Sequence, residues 1–195
     1  PHFLYNTLES ITWMIEGEKN DEAVFMISQL ARLFRISLSK GRTVISIKDE
    51  LQHAQSYMNI QKVRYKNSFS VTFDVAEELY SYCTVKLILQ PLLENAINYG
   101  VSGMEDCGEI VVTGRLQEDK IVLAVCDNGH GSGVGLVNVN SRIQIVFGKE
   151  YGLLVESEPD EGTRVSIRIP AVPYTEENCK ILEKGHIIKS TGEKQ

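Results

Sequence analysis

The hydrophobic period of this chain changes near residue 66, and that change does most to fix its class. Before it, apolar residues recur at spacings of three and four, the mark of a helical face. Phe3, Leu4, Leu8, Ile11 and Ile15 make one such face. Ala23, Ile27, Leu30 and Phe34 make a second, extended by Val24, Ala31 and Leu38. Gly17 and the polar run Glu18-Lys19-Asn20 separate the two, Asp21 offers a cap for the second helix, and Lys40-Gly41 closes it. Two amphipathic helices joined by a short turn form an antiparallel hairpin. A hairpin cannot cover its own apolar faces, so a second copy completing a four-helix bundle is expected.

Residues 42–65 supply an extended piece, Val44-Ile45-Ser46-Ile47, and a third helix from Lys48 to about Tyr65. Beyond them the pattern is mixed. Phe69 to Phe73 alternates like a strand, and Glu109–Arg115, Lys120–Asp127, Gly152–Glu156 and Thr163–Ile169 read as further strands. Val85–Tyr99, with Pro91 in its first turns, and Gly135–Phe147 read as helices. The expected class is α+β: a helical hairpin at 1–41, a linking strand and helix at 42–65, and a two-layer α/β sandwich at 66–170. The polar tail 171–195 shows no sustained periodicity and is a candidate for disorder. There is no internal repeat.

Composition narrows the function. With 195 residues, 43% of them hydrophobic, the chain can bury a core. A formal charge of −6 opposes a generally basic nucleic-acid surface. No apolar run is long enough to span a bilayer. Cys83, Cys107, Cys126 and Cys179 lack zinc-site spacing and read as reduced thiols. The abrupt opening, Pro1-His2-Phe3-Leu4, is already helical in pattern and reads as a piece of something longer.

Three segments carry chemistry. In Leu89-Gln90-Pro91-Leu92-Leu93-Glu94-Asn95-Ala96-Ile97-Asn98 the apolar residues can pack inward, leaving Glu94, Asn95 and Asn98 on another face. An Asn oxygen is a suitable hard ligand for Mg²⁺, although a solvated polar helix face would look the same. Val125-Cys126-Asp127 runs from a strand into a loop where Gly129, Gly131, Gly133 and Gly135 alternate before Leu136 opens a helix. Glycines let backbone N–H groups approach phosphates, and a helix N-terminus favours anions. Asp127, at the strand end, can accept a hydrogen bond from an exocyclic amine such as that of adenine. The spacing matches neither a dinucleotide-binding fingerprint nor a P-loop. The third is His2, on a first helical turn, with Asn6 one turn along on the same face.

In this order and combination the segments resemble the transmitter region of sensor histidine kinases of the LytS/YesM type, over roughly residues 1–170. PHFLYNTLESI resembles that family's phosphoacceptor box and LQPLLENAINYG its N box. DNGHG and GVGLVNVNSRI resemble the glycine motifs of the GHKL-type ATP-binding fold, and EGTRVSIRIP its closing strand.

The resemblance implies ATP and Mg²⁺ as cofactors. It makes His2 the phosphoacceptor, with Asn6 beside it, and Asn95 the Mg²⁺ ligand, with Glu94 and Asn98 close by. Asp127 binds the adenine amine, Gly129 and Gly131 shape the pocket, and Gly133, Gly135 and Leu136 lie toward the phosphates. Thr163 supports the adenine end, and Arg64 and Arg142 are phosphate-side or structural cations. It further implies a homodimer through the hairpin, a response-regulator aspartate as the next acceptor, a cytoplasmic catalytic region and a membrane-bound parent. GHKL hydrolases carry a water-activating Glu four residues before the metal Asn. Pro91 stands there, so the expected reaction hands phosphate to His2. Two departures are visible: Phe3 follows the acceptor where many histidine kinases have an acidic base, and the segment between the glycine motifs is short for an ATP lid. The alternative of another class is a catalytically idle nucleotide-binding dimerisation scaffold. A GHKL hydrolase is a third, opposed by Pro91 and the hairpin.

Overall fold

The computed structural model describes residues 2–38, 41–102, 104, 107–129, 136–158 and 161–186. Helix α1 (His2–Glu16) turns back into α2 (Asn20–Ser37). The turn is a Schellman-type end: Lys19 N–H donates to Met14 O at 2.8 Å and Glu18 N–H to Ile15 O. The left-handed residue is Glu18, φ +59°, rather than Gly17. Asp21 does not cap α2. Lys19 holds the cap position without a side-chain bond, and Asp21 and Glu22 lie in the first turn, where the helix dipole favours them.

Strand β1 (Val44–Ser46) leads into α3 (Ile47–Arg64), capped by Ser46 Oγ accepting from Asp49 N–H. After β2 (Phe69–Val75) and a 3₁₀ turn at Glu77–Ser81 comes β3 (Cys83–Val85). The sequence places a helix from Val85, but Val85 pairs with Val44 in a small antiparallel sheet of β1 and β3. Leu87 then takes a left-handed turn, φ +58°, and α4 begins only at Leu89, running to Asn95. Residues Ala96–Val101 continue it as a π-helical turn.

The main sheet has the order β2-β4-β5-β7-β6, with β4 (Gly108–Gln117), β5 (Lys120–Asp127), β6 (Gly152–Glu158) and β7 (Gly162–Pro170). Only β2 and β4 run parallel. Ile110, Val112, Ile121, Leu123, Val125, Val165, Ile167 and Ile169 share one buried face. Helix α4, its π-helical extension and α5 (Val137–Phe147) cover that face, which makes the expected second layer. The buried apolar residues form one continuous cluster from Ile11 to Leu182. Burying each large side chain is worth about 1.5–3 kcal/mol.

Residues 171–186 are ordered, against the expectation for the tail. They carry α6 (Glu176–Glu183), capped by Thr175 and burying Cys179 and Leu182. Glu183 accepts the Thr43 and Val44 N–H groups at 2.8 and 3.1 Å, tying α6 to β1. Among the described residues no helix is long and apolar enough to cross a membrane.

Candidate nucleotide and phosphoacceptor site

The polar residues of the N-box segment ride on a helix whose start is unusually fastened. Ile88, at its cap position, offers no side-chain acceptor. Glu50 of α3 does so instead: Oε2 accepts Leu87 N–H, and Oε1 accepts Ile88 and Leu89 N–H, each at 2.8 Å. Burial pushes the Glu50 carboxyl up, while the three N–H groups and the Arg142 charge oppose that. Arg142 of α5 donates to the carbonyls of Leu87, at 3.1 Å, and Lys86. Of its two expected roles the structural one is what the geometry displays.

Along α4, Leu89, Leu92, Leu93, Ala96 and Ile97 are buried, as the spacing predicts. Asn95 is 9% exposed, and among the described residues its amide makes no side-chain hydrogen bond. Glu94 accepts Gln90 Nε2–H at 2.8 Å. The switch to π-helical geometry at Ala96 alters the register before Asn98, which is exposed, so the three residues do not share one regular helical face. Such π turns recur at functional sites.

Asp127 ends β5 between Ile110 on β4 and Thr163 on β7. Its Oδ1 accepts Gly129 N–H at 3.1 Å, and Asn128 Oδ1 accepts Glu109 N–H at 2.8 Å, fixing the turn. Burial raises the Asp127 carboxyl, opposed by the Gly129 and Thr163 backbone groups. Thr163 is buried, 3.2 Å from Ser157 Oγ through its hydroxyl.

The end of the N-box helix meets this turn through glycines. A Cβ on Gly100 would stand 2.5 Å from Asp127 Oδ1. One on Gly129 would fall on the Gly100 carbonyl, and one on Gly162, φ +104°, on the Asp127 carbonyl. Gly100, Asp127, Gly129, Gly162 and Thr163 are thereby gathered around one junction, at the end of the helix that carries Asn95. Sequence reasoning missed Gly100 and Gly162 as packing residues and missed Glu50. The two glycines sit inside the quoted motifs, whereas nothing local marks Glu50. Leu136 flanks α5 at its cap position and is half-buried. Gly131, Gly133 and Gly135 lie outside the described residues, as does His130.

His2 is exposed on the first turn of α1, with Asn6 Nδ2 3.1 Å from its Nδ1. The next residue points inward: Phe3 packs on Tyr57 of α3, ring centroids 5.1 Å apart. Tyr57 OH accepts Gln61 Nε2–H, and Gln61 Oε1 accepts Arg64 Nη1–H, both at 2.7 Å. The Arg64 guanidinium lies 6.0 Å from the centre of the Phe3 ring. Burial raises the Tyr57 phenol, and the charge of Glu94 raises it further.

The histidine kinase family profile matches residues 1–69. Sensor histidine kinase YesM of Bacillus subtilis (strain 168) is 35% identical over 181 residues, 87% of this chain and 31% of that protein. The chain is similar to sensor histidine kinases over most of its length. Sensor protein LytS of Staphylococcus saprophyticus is 32% identical over 200 residues, 92% of this chain and 34% of that protein. The chain therefore spans about a third of the length of these two relatives. The catalytic domain of histidine kinase ThkA superposes with a TM-score of 0.52 at 18% identity, over 68% of this chain and 97% of that one. Acinetobacter baumannii histidine kinase AdeS does so with 0.52 at 12% identity, over 87% and 95%. These two show the fold: a helical part joined to a GHKL-type sandwich.

Proposed function

We propose that this chain is the catalytic region of a two-component sensor kinase that moves the γ-phosphoryl group of ATP to His2 and then to an aspartate of a response regulator. The observation that carries the reading is the glycine-lined junction, where the end of the Asn95 helix touches the Asp127 turn. Asp127 there accepts the adenine amine, Thr163 lies beside it, and Gly129 keeps the floor free of side chains. Gly131, Gly133 and Gly135 are assigned to the pocket and phosphates, and Leu136 to its edge, on the motif alone.

The donor set suits Mg²⁺. Asn95 presents a nearly buried amide with no side-chain hydrogen bond among the described residues, and Mg²⁺ takes oxygen ligands while keeping waters and phosphate oxygens. Bound there, the ion neutralises the triphosphate, which phosphoryl transfer needs more than covalent help. Glu94 and Asn98 flank it. For His2 Nε2 to attack phosphorus its lone pair must be free, so Nδ1 carries the proton. Asn6 Oδ1 accepts a hydrogen bond from that Nδ1–H once its amide is turned, the assignment of O and N being a matter of hydrogen-bond logic.

Residues 1–41 serve as dimerisation and acceptor hairpin, 66–170 as ATP-binding domain. A response-regulator receiver domain and a second copy of the chain are the partners, and the fragment works on the cytoplasmic side of a membrane-bound parent. The fate of γ-labelled ATP tests this against its rivals: acid-labile phosphohistidine supports it, free phosphate supports a hydrolase, and no turnover with retained binding supports an idle scaffold. The adenine contact is tested by calorimetry. GTP presents a carbonyl acceptor to Asp127, and an unpaired buried polar group costs about 1–3 kcal/mol, so ATP should bind roughly tenfold to a hundredfold tighter. Equal affinities would remove Asp127 from base recognition.

A further inference from the structure

Glu50 is fully buried on α3, yet all its described hydrogen bonds go to a single short segment, the 87–89 amides. Arg142 grips the same segment from the other side through the carbonyls of Lys86 and Leu87. The left-handed conformation of Leu87 is what turns three consecutive N–H groups toward one carboxylate. We propose that Glu50 and Arg142 form a clasp that sets the axial position of α4 and with it the Asn95 amide, making both positioning residues for the metal-bound triphosphate. The inference deepens the ATP reading above and rests on it.

Three observations favour positioning over simple core stability. First, an ordinary helix start is capped locally by Ser, Thr, Asp or Asn, whereas this one takes its acceptor from 37–39 residues upstream. Second, the clasp joins three elements: α3 gives the carboxylate, the entry to α4 the amides, and α5 the guanidinium, six residues past the cap residue Leu136. Third, the clasped segment is tied to the hairpin, because Lys86 Nζ donates to Ser37 O at the end of α2 and Lys86 N–H to Thr43 O. A shift of α2 therefore pulls on the chain that fixes Asn95.

The test is Glu50→Gln, which keeps shape but turns a donor toward an amide donor. ATP affinity is measured by calorimetry with and without Mg²⁺, beside thermal melting. The clasp predicts a folded variant whose Mg²⁺-dependent gain in ATP affinity drops on the order of tenfold to a hundredfold, the usual effect of losing support behind a metal ligand. The preference for ATP over GTP, set at Asp127, should persist. A lower melting temperature with an unchanged Mg²⁺-dependent gain would overturn the proposal. Should Glu50→Gln not fold, Arg142→Lys, which keeps the charge and loses the two-pronged contact, serves instead with the same two outcomes. A wild-type chain without ATP affinity overturns the ATP reading and the clasp together. Wild-type binding with unchanged variants overturns the clasp alone.

Discussion

The hairpin and the sandwich bury their apolar residues to different degrees. In the first 38 residues Tyr5, Leu8, Trp13, Ile15, Val24, Phe25, Ile27 and Leu38 are all exposed, although the same helices bury Ile11, Met26, Leu30 and Leu33. The sheet, by contrast, buries the inner face of its central strands β4, β5 and β7, from Ile110 to Ile169, and leaves Val155 of edge strand β6 open on that side. Helices α1 and α2 are apolar on two sides and the chain covers one of them. The lesson is that the sandwich covers most of its own core, whereas the hairpin leaves an apolar side open, as the proposed pairing with a second copy requires.

The largest effect should come from charging the open side. Ile27 is 50% exposed, so Ile27→Asp leaves the single chain intact but places a carboxylate in the seam of a four-helix dimer. Burying an unpaired charge costs roughly 4 kcal/mol or more, about a thousandfold in dimer dissociation. Sedimentation should report monomer, with ATP affinity unchanged. Leu30→Asp makes the contrast: Leu30 is 8% exposed within its own chain, so that change should lower the melting temperature rather than act at the seam alone. A wild-type monomer at micromolar concentration would break the comparison.

The converse variant attacks the sandwich. Gly129→Ala drives a methyl group into the Gly100 carbonyl, and both partners are backbone. Overpacking of this kind costs about 3 kcal/mol, close to a hundredfold in ATP affinity, while sedimentation should stay as wild type. Unimpaired binding would mean that the junction between the N-box helix and the Asp127 turn has no part in the site.

A smaller effect probes the joint between the two regions. Ser37 Oγ donates to Leu33 O, so it must accept from His53 Nε2–H at 3.0 Å, leaving His53 Nδ1 buried and without a partner among the described residues. Burial, helped by the Lys86 charge, lowers the His53 pKa to about 4 from an unfolded value near 6.5. Between these values the unfolded chain binds the extra proton, so stability rises with pH through this window and falls on acidification. The loss from neutral pH to about pH 5 should be near 2 kcal/mol in urea unfolding. His53→Gln should flatten that slope, and an unchanged slope would assign it to other groups.

Local signals were legible in the sequence and distant ones were not. Strand β5 was predicted to the residue because a β-branched run ends at a turn, with Glu118 left-handed at φ +57°. The hairpin was legible for the same reason, but periodicity cannot say which of two apolar sides faces the same chain, so Ile27 and Leu30 were placed on one seam and the structure separates them. Strand β3 was not read from the sequence, and its last residue, Val85, was assigned to the following helix, because its partner β1 lies about 40 residues away and the break falls at Leu87 without a glycine. Helix α6 buries only Cys179 and Leu182, too few for a period, and is held by the Glu183 contact to β1. The Asp127 turn was marked by its glycines. Glu50 looks like any polar residue on a helix until the fold brings residues 87–89 to it.

The central claim divides one reaction between the two regions: the nucleotide is held in the sandwich and the phosphoryl group lands on the hairpin. Phosphohistidine is acid-labile and survives alkali, so it can be told from phosphoserine. The decisive measurement is transfer from γ-labelled ATP to the wild-type chain and to His2→Ala, with ATP affinity followed in parallel. The expected result is an acid-labile label on the wild type, none on His2→Ala, and equal affinity in both, because His2 is exposed on α1 and Asp127 belongs to the sandwich. An undiminished label in His2→Ala would contradict it and move the acceptor to another residue.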